Sequence, residues 1–146
     1  MMNEETLNRR QKEIEEEFAF FEDWMEKYEY IISLGKGLEM MPEQQKHKDL
    51  LIKGCQSRVW LDAHLNPDGS VHFEADSDAI ITRGLVALMI RVLDGLSPRT
   101  VAAADLWFLQ RIGLQDHLSP TRANGLLAMV KQMKTFGLVL SAKANG

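Results

Sequence analysis

Apolar positions along the chain follow three successive rhythms. In the first forty residues Ile14, Phe18, Phe21, Met25, Tyr28 and Ile32 recur at steps of four and three, the repeat of one helical face. The pattern predicts a helical region ending near LGKGL, where Gly35, Gly37 and then Pro42 interrupt it. The polar stretch MPEQQKHKDL that follows predicts a surface loop. From Val59 the period falls to two. Val59, Leu61, Ala63 and Leu65 alternate with Arg58, Trp60, Asp62 and His64, and after NPDGS the alternation resumes at Val71, Phe73 and Ala75. That is the signature of a β-hairpin.

Helical spacing returns in DSDAIITRGLVALMIRVLDGL through Ile81, Leu85, Leu88, Met89 and Val92. Ser77 is the expected N-cap there, with Asp78 in the first turn and Gly95 at the end. LSPRT and LSPTR each place Ser as N-cap before Pro at the first helical position, so two further helices are expected, the last reaching about Leu140. Helix, hairpin and helices in that order predict an α+β domain spanning 1–146, with helices packed on a small antiparallel sheet. A short strand near Leu50 to Lys53 would bring that sheet to about three strands. The sequence has no internal repeat and no low-complexity segment.

Composition supports one core: 45% of the 146 residues are hydrophobic. The formal charge of −4 is uneven, with residues 1–30 at −6 and the remainder at +2. No basic stripe interleaved with aromatics is present to neutralise phosphates, which argues against a nucleic-acid partner. The first residues are charged and polar and no run of eighteen apolar residues occurs, so neither a signal peptide nor a membrane span is expected. The expected setting is cytoplasmic.

The chain has one cysteine, Cys55, in IKGCQSRVWL. It has no partner for an intrachain disulfide and cannot by itself supply a structural zinc site or an iron–sulfur cluster. A lone cysteine ordinarily serves as a small buried hydrophobe. Against that role stand Gly54, which frees the backbone, and Gln56, Ser57 and Arg58, which make the surroundings polar.

Arg122 is a second anomaly, because it sits where a capping box wants an acid, with its charge against the positive end of the helix dipole. Either it points into water, or it is held near an anion such as a thiolate, a persulfide or a partner's carboxylate. His64 and His72 flank the hairpin turn with Asp62 nearby, which leaves a metal site or a Cys–His pair open. Polar residues on the open face of a hairpin are in the main solvated, so no metal and no cofactor is assigned.

GCQSRVWL at 54–61, ADSDAIITRGLVAL at 75–88 and LSPTRANGLLAMV at 118–130 resemble the SufE family of sulfur-acceptor proteins, including its CsdE branch. EDWMEKYEYIISLGKGL at 22–38 is similar to that family's N-terminal helical segment. The resemblance implies a SufE/IscU-like fold. It also implies an accessory protein, not itself an enzyme, that serves a SufS- or CsdA-type cysteine desulfurase. In this reading Cys55 takes sulfur as a persulfide and passes it to an iron–sulfur assembly scaffold, and the pyridoxal phosphate belongs to the desulfurase. Asp78 matches the second acid of the family's D-S-D-A element and Arg122 the arginine of its L-S/T-P-x-R element. Gly54, Gln56 and Ser57 flank the acceptor.

Physical reasoning agrees, since sulfur exchange needs a thiolate able to reach another protein, and Gly54 would serve as a hinge. A monomer with a transient interface of modest area is expected. Two other readings stay open: a cysteine-dependent hydrolase or thiol enzyme pairing Cys55 with His64 or His72, and a cluster scaffold, which a single cysteine disfavours.

Overall fold

The computed structural model describes residues 3–53 and 57–145. Helices α1 (Glu4–Ala19) and α2 (Trp24–Lys36) are followed by a connection with 3₁₀ turns at Glu43–Gln45 and Lys48–Leu50. Strands β1 (Val59–Leu65) and β2 (Val71–Ser77) come next, then α3 (Ile80–Leu93), α4 (Pro98–Ala102), α5 (Phe108–Arg111) and the long α6 (Pro120–Asn145). The architecture is α+β, with helices gathered around a small antiparallel sheet.

The hairpin forms where the alternation predicts it. Val59, Leu61, Val71, Phe73 and Ala75 turn into the core while Asp62, His64, His72 and Glu74 face outward. Gly69, at φ 88°, supplies the left-handed residue of the turn, and the Asp68 carboxylate accepts from both the amide and the hydroxyl of Ser70. Among the described residues the sheet has two strands rather than about three. The expected third member is reduced to one antiparallel bridge between Leu51 and Trp60.

The N-terminal helical region divides in two. Asp23 caps α2 by accepting from the Glu26 amide, while the Glu26 carboxylate accepts from the Glu22 amide, a reciprocal arrangement that starts a new helix. The restart resets the helical phase. Met25 is consequently 72% exposed, and Ile31, not Ile32, takes the fully buried position. Gly35 lies inside α2 rather than ending it.

Ser97 caps α4 by accepting from the Thr100 amide, as its Ser-Pro sequence predicts. Ser77 does not cap α3. It remains in β2, where its hydroxyl donates to Arg58 O and accepts from the Ala79 amide, and Asp78 lies outside the first turn of α3.

The helices interlock through contacts that link distant parts of the chain. On α1, Leu7, Gln11, Ile14 and Phe18 form the buried stripe, and the amide of Gln11 is satisfied by Asp105 O and the Phe108 N–H. Nearby, Arg91 of α3 forks onto both carboxylate oxygens of Glu17 in α1, and the Tyr30 hydroxyl of α2 donates to the same carboxylate. The Arg91 bonds, then that of Tyr30, hold the Glu17 carboxyl below its ordinary range against the opposing effect of burial.

A depressed folded-state pKa means stability that is present above the ordinary carboxylate range near 4.5 and lost as pH falls through the lower folded value. Glu17→Gln is therefore expected to lose about 1 kcal/mol at neutral pH for this half-exposed group, a difference that shrinks steadily below about pH 4.5. Urea midpoints at neutral and acid pH check this. A difference that stays constant across that range would mean the ion pair contributes nothing.

Candidate functional site

Gly54, Cys55 and Gln56 lie outside the described residues. The chain on either side of them is tied down. Before them, the Ile52 amide donates to Val59 O at 2.9 Å beside the Leu51–Trp60 bridge. After them, the Arg58 amide donates to Asp78 Oδ1 at 3.0 Å, and Arg58 O accepts from the Asp78 amide and the Ser77 hydroxyl. Asp78 thus holds the backbone three residues downstream of Cys55, the role that remains once it is removed from the helix.

Arg122 and Ser57 come together. Ser119 caps α6 through the Arg122 amide at 3.3 Å, which sets the Arg122 side chain at the mouth of a cleft of about 440 Å³. Ser57 forms one wall, Thr82 and Leu85 of α3 another, and Leu126 and Met129 of α6 lie beneath. The cleft therefore combines an apolar floor with a polar rim bearing one guanidinium, and that guanidinium makes no ion pair with any described residue. Such an environment suits a soft anion that has to be kept from water.

Asp76 was not marked by the sequence, and it supports the approach to this site. It is 1% exposed, and its carboxylate accepts from the Met41 amide at 3.0 Å and the Ser77 amide at 2.8 Å. Lys46 at 3.6 Å and Arg83 at 3.7 Å balance its charge. The connection from α2 is thereby pinned to β2 before the chain reaches Ile52. Lys46 also lies over the Trp60 ring at 4.9 Å, which explains why Trp60 is buried although the alternation sets it among polar positions. Only the run of acids in ADSDA hinted at Asp76, because nothing local shows that a carboxylate will be buried against an amide 35 residues away.

His64 and His72 stand directly opposite each other across the hairpin, their ring centroids 5.1 Å apart. They lie toward its turn, five residues and about 17 Å of strand from Val59, whereas the Cys55 segment joins the other end. Asp62 accepts from the Ala63 amide. Among the described residues no contact joins either histidine to Ser57, Arg58 or Arg122.

Comparison with known proteins identifies the family and the fold. The SufE family, described as an Fe-S metabolism associated domain, matches residues 12–136. An uncharacterized SufE-like protein of Rhizobium meliloti (strain 1021) is 39% identical over 127 residues, covering 84% of this chain and 91% of that protein. The solution structure of a hypothetical protein from Thermus thermophilus aligns with a TM-score of 0.76 over 97% of this chain and 99% of that one, at 17% identity, a likeness of fold. Among the described residues no helix is long and apolar enough to cross a membrane. The family match runs from α1 through the hairpin and well into α6, and the chain belongs to the SufE family, with a role in Fe-S metabolism.

Proposed function

We propose that the protein is the sulfur acceptor and activator of a SufS- or CsdA-type cysteine desulfurase, with Cys55 as the acceptor. The Cys55 thiolate attacks the terminal sulfur of the desulfurase persulfide. A new S–S bond forms on Cys55, the old one breaks, and the desulfurase cysteine leaves as its thiolate. The loaded sulfur then passes to a thiol of the cluster assembly scaffold by the same exchange. This chain contributes the thiol and its surroundings, and the pyridoxal phosphate that releases sulfur from free cysteine belongs to the partner.

The observation that supports this reading is the cleft beside Ser57, in which an apolar floor meets the Arg122 guanidinium. A persulfide anion seated there is screened from water and stray thiols and compensated by one cation. Backbone ties at Ile52 and at Arg58 anchor the chain on both sides of the Cys55 segment, next to the cleft.

Intact-mass measurement after incubation with a SufS-type desulfurase and free cysteine tests the proposal. The expected result is a gain of one sulfur atom per chain, removed by reductant. No gain from a desulfurase shown to be active would reject it. Arg122→Ala is expected to slow loading severalfold, since Arg122 is exposed at the rim of the cleft and water discounts the charge-assisted hydrogen bond it offers. Loading at the wild-type rate would remove Arg122 from the mechanism.

A thiol hydrolase using His64 or His72 as base gains no support, since both histidines sit toward the far end of the hairpin.

A further inference from the structure

The outward face of the hairpin carries a second concentration of chemistry, away from the Cys55 segment. The antiparallel register pairs His64 with His72 and Asp62 with Glu74, which sets all four on one face. Glu74 Oε1 lies 3.9 Å from His64 Nδ1 and 3.9 Å from His72 Nε2. One ligand atom from each of His64, His72 and Glu74 falls within 4.8 Å of the other two. An ion among atoms so spaced lies within roughly 2.8 Å of each, and small side-chain rotations bring it to zinc–ligand bonds of about 2.0–2.2 Å.

His72 is also held from behind. Its Nδ1 lies 3.3 Å from Asp94 Oδ1, and that oxygen accepts the Phe73 amide at 2.7 Å, so the carboxylate is itself fixed by the strand. Arg10 lies near enough to offset part of the Asp94 charge, which suits Asp94 to orienting the ring rather than to binding an ion. A carboxylate on Nδ1 sets the tautomer that leaves Nε2 bare, and Nε2 is the nitrogen turned toward Glu74. Asp62 opposite Glu74 is an unfavourable cross-strand pair of like charges, which a cation relieves. A cleft of about 400 Å³ bordered by His72, Glu74 and Asp94 opens alongside, with room for water or another ligand on the exposed side of an ion.

We infer that His64, His72 and Glu74 form a binding site for a divalent transition-metal ion of the zinc class, with Asp94 positioning His72. Two imidazoles and one carboxylate suit such ions, whereas calcium and magnesium take oxygen ligands. The sequence pointed to Asp62 as the acid beside the histidines. The structure replaces it with Glu74, because the Glu74 carboxylate reaches both rings while that of Asp62 bonds the neighbouring amide.

Calorimetric titration of Zn²⁺ into the Cys55→Ser protein, in which no thiol competes for metal, tests the site. One ion per chain is expected to bind. Its affinity should fall at least tenfold in His64→Gln and in His72→Gln, and about tenfold in Asp94→Asn, which keeps an acceptor for the Phe73 amide. Unchanged affinity in the double histidine variant, or calcium binding as tightly as zinc, would overturn the inference. A second readout needs no histidine variant: imidazole resonances of His64 and His72 should shift in proportion to added Zn²⁺. Shifts confined to His47 and His117 would likewise overturn it.

Discussion

Replacing Cys55 with serine is expected to abolish sulfur acceptance completely while leaving the protein folded. A serine hydroxyl is not ionised near neutral pH, and an oxygen cannot take the place of sulfur in the exchange that makes a persulfide. The substitution changes one atom, and the ties that hold the flanking chain are made by other groups: the Ile52 amide on Val59 O, and Asp78 on the backbone of Arg58. Desulfurase turnover is the sensitive measurement. The wild-type protein should raise the rate of alanine formation from cysteine by clearing the persulfide, and Cys55→Ser should not raise it at all. Circular dichroism and urea midpoints of the two proteins should coincide. Full acceleration by Cys55→Ser would mean that docking alone activates the desulfurase and that the thiol is not the acceptor.

Gly84→Ala is expected to be the most damaging single-methyl change in the scaffold. A Cβ at Gly84 would lie 2.2 Å from Ile31 O and 2.5 Å from Ile31 Cγ2, and a Cβ at Gly35, on the α2 side of the same crossing, would lie 2.8 Å from the Gly84 amide nitrogen. Two glycines facing each other let α2 and α3 approach closely. The clash is with backbone, which cannot rotate away, so relief requires moving α2 bodily off α3. Overpacking of this kind costs about 1–3 kcal/mol, here toward the upper end, and the gain of about 1 kcal/mol in helix propensity offsets only part of it. A net loss of about 2 kcal/mol should lower Tm by roughly 4–8 °C. Gly37→Ala is the control: its Cβ would meet only Leu34 O at 3.6 Å, with φ at −83°, so Tm should stay within about 2 °C. Equal effects from the two substitutions would show that the close approach of α2 and α3 carries no special weight.

The sequence by itself determined the features whose causes are local. Alternation specified the hairpin with its strand limits at Val59 and Leu65, because a strand's two faces are written in consecutive residues. The Ser-Pro pairs specified where α4 and α6 begin, since a cap acts within one turn. The family too was legible, in short motifs that stay contiguous. The restart at Asp23 was written as well, in an acid followed three residues later by Glu26, but the unbroken apolar spacing across 14–32 masked it.

Tertiary structure alone decided what depends on residues far apart in the chain. Ser77 left its expected cap to donate to Arg58 O, and Asp78 left the helix dipole to accept from the Arg58 amide, because the hairpin register brings Arg58, 19 or 20 residues away in the chain, beside both. Trp60 is buried on the outer face of the hairpin because Lys46 and the Leu51 bridge cover it. The join between Ser57 and Arg122, the pairing of Glu17 with Arg91 across 74 residues and the support of His72 by Asp94 have no local signature. Each arises because packing the apolar faces of the helices against the hairpin brings together side chains that the order of the sequence keeps apart.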